Sequence, residues 1–466
     1  MMAFQYRKDY VGAVLAFLAA GLFELLPTPA GLTSVGQATV SILILSVIFW
    51  IFDVLGSAVT ALFMLALLIL AGVKPEHALG AYAGGSFWIL VGVLFYGAAM
   101  QSTGLARRVA YWILNLFPST YKGVLGAFLL IGLVLSLAIP SMTVRTAIIV
   151  PIAWALVQTL GLPHRSRGSA LLMLSTVEMA VVPGCATLYG SLYGPLMVQL
   201  FQTQGFPIEW WAYARVLAVP TIIWSVLLLA GNWIALRPEQ ELQVGQEFVR
   251  SELKKMGPMR FQEMVTAGVV IVSIVYWVTD RWHHQPAFLI GMLGMAVFAA
   301  FDILQEKDFG TAISWPLVLF LGALLGLPTV VQQTQVDQWL AGYIVPLIQS
   351  VSGNTWLLFM VVAIGMYAAR FLDPVGFLAV TVLFLPISSL LRGTPIAPLV
   401  LTAVILLPAH PFWVNYQNIW VALGDGITSQ NAFDGSHRLR LAHVYAVATL
   451  LALSVAMLYW KALGLL

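Results

Sequence analysis

Apolar positions along the chain fall into long unbroken runs, not into the alternation of a half-buried strand or the narrow stripe of a soluble helix. A bilayer-spanning helix needs ~20 largely apolar residues. Runs of that kind cover 11–27, 38–52, 54–72, 84–101, 122–139, 212–236, 264–279, 286–301, 314–331, 355–370 and 441–463. Between them lie four apolar stretches, 139–160, 168–200, 372–392 and 395–424, that are cut by Pro and Gly and rich in Ser and Thr. Irregular backbone is tolerated at membrane depth only where protein buries it or where it lines a cavity. The pattern predicts an all-α integral membrane protein with about 11 transmembrane helices and two re-entrant hairpins, near 139–160 and 372–392. Broken helices are expected near 168–200 and 395–424.

The pattern also repeats. The stretch 87–114, FWILVGVLFYGAAMQSTGLARRVAYWIL, resembles 315–344, WPLVLFLGALLGLPTVVQQTQVDQWLAGYI. Each is a spanning run, a polar break and an amphipathic segment. Each leads through a further helix to a short Pro-containing segment, IIVPI at 148–152 and LFLPI at 383–387. Interrupted hydrophobic segments at corresponding places in two halves point to a secondary transporter built from inverted repeats. The expected organisation is an N-terminal helix in 1–37, a first repeat in 38–236, a cytoplasmic linker in 237–262 and a second repeat in 263–466.

Composition agrees. The 466 residues are 61% hydrophobic and 9% charged, against ~25% charged in a soluble domain. The net charge of +3 gives no reason to expect a nucleic-acid partner. One cysteine, Cys185, excludes an internal disulfide and a cysteine-based metal cluster. Lys and Arg mark cytoplasmic loops. Arg7, Lys8, Arg107, Arg108, Arg165, Arg167, Arg438, Arg440 and the basic linker are therefore expected inside, with the N-terminus cytoplasmic. Arg392 and Lys461 are the exceptions. GCATLYGSLYG (184–194) is glycine-rich but lacks the lysine and the strand–helix context of a phosphate loop.

Ionisable residues within membrane segments are functional candidates by default. Arg145, Glu178, Arg370 and Asp373 lie in or beside the broken segments. Arg145 reads in two ways: a fixed positive charge facing an anion, or a structural group that pairs with Glu178 or Asp373 or snorkels. Glu178 and Asp373 could bind a coupling ion or carry a proton. Arg370 and Asp373, three apart, could simply pair. Ser141, Thr143 and Thr146 flank Arg145, where a helix N-terminus could meet an anion and freed carbonyls a cation. Thr187, Ser191, Asn415, Gln417 and Asn418 sit in the other broken segments. His410 could titrate, but a lone His is more often hydrogen-bonded structure.

These features together resemble the divalent-anion/sodium symporter family, within the wider superfamily that includes arsenite permeases and sodium/proton antiporters. That family carries Ser-Asn-Thr at each hairpin tip. Ser141-Met142-Thr143 is similar to the first copy, with Met142 in the Asn place. Gly376-Phe377-Leu378 stands where the second copy falls and keeps none of the three residues. GCATLYGSLYG is similar to the family's loop after the first hairpin, without its Pro-Pro. NYQN matches the second such loop, with Asn418 in the Asn place. Substrate contacts are expected from Ser141, Met142, Thr143, Arg145, Asn415 and Asn418. A coupling-ion or proton site is expected among Ser141, Thr143, Glu178, Gly184, Thr187, Asp373 and Gly376, where Glu178 and Asp373 enter as intramembrane carboxylates and the others through the resemblance. The resemblance also implies a homodimer and a sodium ion, with no other cofactor or metal. Arg145 is outside the family's pattern and would supply a positive charge from the protein itself.

The sequence therefore predicts a non-enzymatic carrier of a small anion (a di- or tricarboxylate, sulfate or similar oxyanion) in a bacterial inner membrane. Coupling could be to sodium, to protons or by exchange. The alternative is a cation/proton antiporter of the same superfamily. A membrane enzyme would need a metal or nucleophile cluster, and none is evident.

Overall fold

A computed structural model describes residues 2–139, 141–239, 246–373, 376–391 and 394–466. All regular structure among them is helical. The first half opens with α1 (Met2–Leu25), α2 (Ser34–Phe52) and α3 (Ser57–Leu70). It continues with α4 (Gly85–Thr103), α5 (Leu105–Leu116), α6 (Tyr121–Ala138) and α7 (Met142–Thr159). The broken helix follows as α8 (Arg167–Val181), a 3₁₀ turn (Val182–Ala186) and α9 (Tyr193–Thr203), then α10 (Trp210–Ala235). The linker holds α11 (Gln246–Met256), and α12 (Phe261–Val278) and α13 (Phe288–Ala300) follow it.

The second half repeats the order of the first. It runs α14 (Trp315–Gln333), α15 (Val336–Gln349), α16 (Thr355–Ala369) and α17 (Phe377–Leu390). Its broken helix is α18 (Pro398–Leu406), a 3₁₀ turn (Leu407–Ala409) and α19 (Ile419–Ile427), before α20 (Gly435–Ala462). Even the turns after α4 and α14 match. Gly104 (φ 84°) and Gln335 (φ 60°) are both left-handed there.

Hydroxyls, amides and carboxylates start these helices. Thr33, Thr120, Ser141, Ser166, Asn354, Asn418 and Asp434 each accept a backbone N–H in the first turn. Among the described residues, nine helices are long and apolar enough to cross a membrane, α2, α4, α6, α7, α8 with its 3₁₀ turn, α10, α12, α14 and α20. The runs 54–72, 286–301 and 355–370 form helices of only 14, 13 and 15 residues, because turn residues cut them at their ends.

Packing interleaves the halves. Gly92 of α4 meets Gly291 of α13, where a Cβ on Gly92 would stand 3.0 Å from the facing Cα. Small residues permit such close helix contact in membranes. The described part of the linker after residue 246 is docked. Arg108 of α5 forms a two-pronged pair with Glu263, Nε–Oε1 2.9 Å and Nη2–Oε2 3.0 Å. Its Nη1 also donates to Gly257 O at 2.7 Å.

Candidate functional site

The first site gathers at the break between α6 and α7. Pro140 lies outside the described residues, as do Pro374 and Val375 at the second break and Arg392. Ser141 caps α7, its Oγ accepting the Val144 N–H at 3.3 Å. Four residues on, the fully buried Arg145 turns inward. Its Nε donates to Ala180 O at 2.7 Å. Its Nη1 donates to Ile139 O at 2.7 Å and Gly190 O at 2.6 Å, and Nη2 reaches Val181 O at 3.5 Å. The Ala180 and Val181 carbonyls are free because the last turn of α8 has no following helical N–H to pair them and Pro183 has none to give.

Glycines make the room. A Cβ on Gly184 would stand 2.4 Å from Arg145 Nη2 and 2.3 Å from Gly190 O. Gly190 is as tight, with a Cβ position 2.6 Å from both Gly184 O and the Thr187 hydroxyl. Gly184 therefore belongs to the guanidinium's cradle, and Thr187 packs behind Gly190. Arg145 pairs with neither Glu178 nor Asp373, and among the described residues no carboxylate lies within ion-pair distance of it.

Glu178, on α8, faces α10 instead. Asn232 Nδ2 donates to Glu178 Oε2 and, at 3.0 Å, to Ser175 Oγ. Glu178 Oε1 has no partner among the described residues. Asn232 was not singled out from sequence. An Asn twelve residues after a proline in an apolar run was the available signal.

The second site mirrors the first with different parts. Arg370, also fully buried, ends α16. Its Nε donates to Ala409 O at 2.7 Å, at the second 3₁₀ break, and its Nη2 donates to Gln417 O. Its Nη1 lies 3.9 Å from Asp373 Oδ1. Asp373 does more than pair. Its two oxygens accept the N–H groups of Gly376 and Ala379, each at 2.8 Å, so the chain's own carboxylate fills the N-terminus of α17. Gly376 (φ 95°) needs its glycine, since a Cβ would stand 2.6 Å from the Tyr193 hydroxyl.

Two contacts join the sites. Trp420 Nε1 donates to Thr143 Oγ1 at 3.2 Å, and Tyr193 stacks on Phe377 with ring centroids 5.1 Å apart. Asn418 is committed to structure. Its Oδ1 caps α19 through Trp420 and Val421, and its Nδ2 donates to His410 O. Met142 is buried, while Asn415 is exposed and Thr143 half-buried. Thr143 and Asn415 are thus the predicted polar residues open to an incoming solute. A sodium ion does not fit on the Ile139, Ala180 and Gly190 carbonyls as they stand, because a guanidinium already holds them.

The sequence matches the model of the family described as the sodium:sulfate symporter transmembrane region over residues 7–466. The chain is 23% identical over 420 residues to the inner membrane protein YbhI of Escherichia coli, covering 87% of each chain. It is 25% identical to the sodium-dependent dicarboxylate transporter SdcS of Staphylococcus saprophyticus, covering 73% of this chain and 71% of the other. The crystal structure of the YdaH transporter of Alcanivorax borkumensis is similar in fold, with a TM-score of 0.52 at 13% identity over 99% of this chain and 98% of that one.

Proposed function

The chain belongs to the sodium:sulfate symporter family, and on that premise we propose that it carries a small dianion, a dicarboxylate, tricarboxylate or sulfate, by alternating access. It is a membrane transporter and not an enzyme. The observation that carries the reading is the pair of polar breaks in corresponding places of the two halves, tied by Trp420 and Thr143. The segments near 139–160 and 372–392 expected to be hairpins each hold a single described helix, α7 and α17, so in this reading each hairpin takes its first arm from the helix before the break, α6 and α16. The halves have inverted topology, the N-terminus is cytoplasmic, and two copies associate through the remaining helices.

The substrate is proposed to meet Thr143 at the N-terminus of α7 and Asn415, with the buried Ser141 and Met142 beneath that surface. Asn418 and Arg145 support that surface from behind. Glu178, Gly184, Thr187, Asp373 and Gly376 shape the two breaks. A cation/proton antiporter is disfavoured, because buried guanidinium groups at both breaks would repel a cation. The dicarboxylate class is supported by the relative SdcS.

The test is uptake of labelled succinate, citrate and sulfate by the purified chain in liposomes. Saturable uptake of one of them, with competition by the others, is expected. No uptake or exchange of any of the three would overturn the assignment.

A further inference from the structure

We infer that the crevice between α4, α5 and α7 is a capture site for the dianion, with Arg107 as its charged wall and Glu252 of the linker as a counter-ion that the dianion displaces on entry. The inference rests on the transporter reading above and adds where the substrate first meets the chain.

The crevice has a volume of about 380 Å³. Gln101, Arg107 and Tyr111 form its polar side, and Ala147, Pro151 and Ala155 of α7 form its apolar side. Ala147 lies about one turn beyond Thr143 on the same helix, so the crevice runs along α7 toward the proposed substrate contacts. A cleft with one sign of charge and low-dielectric walls focuses its field and raises the local concentration of counter-ions. The corresponding crevice of the second half is different. It measures about 500 Å³ between α2, α14, α15 and α17, and among the described residues no lysine, arginine or amide lines it. Its one ionisable lining residue, Asp373, accepts the N–H groups that start α17. The polar side therefore belongs to one half and is not a product of the repeat.

Three arginines meet beside this crevice, and their partners differ. Arg108 is buried against Glu263. Arg260 donates from Nη2 to Thr103 O at 2.7 Å, in the last turn of α4. Arg107 lies over the Tyr111 ring, 5.5 Å from its centroid, and its Nη2 meets Glu252 Oε2 at 2.9 Å. More than half of the Arg107 side chain is exposed, and an ion pair in that setting is held weakly. Glu252 has a second cation, since Lys255 Nζ lies 2.6 Å from its Oε1. An anion that takes Arg107 therefore leaves Glu252 paired, and the swap strands no charge. A dicarboxylate or sulfate presents paired oxygens that suit the guanidinium fork. The apolar wall of α7 makes no competing claim on them.

The experiment places Ala147→Cys on the crevice wall of the full chain in detergent. Cys185, the chain's one cysteine, is buried and adds little background. The thiol is labelled with a methanethiosulfonate bearing either a sulfonate or a trimethylammonium group. Gly310→Cys, in open space, supplies the reference ratio of the two rates. Against that reference the anionic reagent should be favoured at Ala147→Cys by about tenfold. Adding Arg107→Gln should abolish the preference, and adding Glu252→Gln should enlarge it. A preference for the cationic reagent, or one that survives Arg107→Gln, would overturn the inference. For succinate, citrate or sulfate added on the linker's side of liposomes, Arg107→Gln should raise KM about tenfold with little change in kcat. Glu252→Gln should lower KM. Equal KM values in the parent and both variants would also overturn the inference. If no anion moves under any condition, the transporter reading fails, while the labelling ratios still decide whether the crevice gathers anions.

Discussion

A Cβ on Gly184 would stand 2.4 Å from Nη2 of Arg145. The glycine and the arginine are therefore one unit, although 39 positions separate 145 from 184 in the chain. Gly184→Ala must displace either the guanidinium or the Gly190 carbonyl, 2.3 Å away on the other side. Overpacking of this kind costs about 1–3 kcal/mol. The expected outcome is a lower Tm in detergent and a loss of anion uptake, while Gly310→Ala, with open space around it, changes neither.

Arg107 and Arg108 are adjacent but carry different loads. Arg108 is buried against Glu263, whereas Arg107 meets Glu252 at 2.9 Å with its side chain largely exposed. Removing one partner of a buried pair costs about 3–5 kcal/mol, and an exposed pair contributes ~0–1 kcal/mol. Arg108→Ala should therefore unfold at a much lower temperature than the parent, and Arg107→Ala within a few degrees of it. Equal Tm values for the two variants would contradict the docking of the linker.

Glu178 and Asn232 offer a double-mutant test. Asn232→Leu leaves the Glu178 carboxyl without its amide donor, at a cost of about 1–3 kcal/mol. Replacing both by leucine removes the orphan as well as the bond and should recover much of that loss. Strict additivity in chemical denaturation would show that the two do not interact.

Asp434 caps α20 from outside the membrane segment, accepting the N–H groups of Ser436 and His437 at 2.8 and 2.9 Å. Partial burial alone would raise its pKa, but these bonds and the Ser436 hydroxyl outweigh burial and hold it below the usual carboxylate value. A depressed carboxyl contributes stability above its unfolded pKa and loses it as pH falls through the folded value. Asp434→Ala should cost about 1 kcal/mol at neutral pH, and the difference from the parent should vanish in acid. A difference unchanged at low pH would remove the cap as its cause.

Much of this was legible in the chain. The lengths of apolar runs gave most helices, and the Pro and Gly interruptions marked where backbone groups are freed. The sequence pointed to Arg145 as unusual because charge is scarce at membrane depth. It could not say what Arg145 touches, because its partners are carbonyls, which every residue has and no letter records. The same limit hid the cradle role of Gly184. Arg370 and Asp373 were readable as an i, i+3 pair, yet the stronger use of Asp373 is to cap α17, which depends on where that helix begins. Arg108 looked like a topology marker beside Arg107, since only folding tells which of two neighbouring arginines faces inward.

The guanidinium bonds also bear on how the chain is made. Arg145 leaves the ribosome before Ala180 and Gly190, its partners 35 and 45 residues downstream. Arg370 likewise waits for Ala409 and Gln417, 39 and 47 residues later. Until those carbonyls arrive, neither arginine has its full set of acceptors, and lipid offers none. Helix α7 therefore carries an arginine short of its acceptors until α8 and the glycine loop are synthesised, and Arg370 at the end of α16 repeats the wait in the second half.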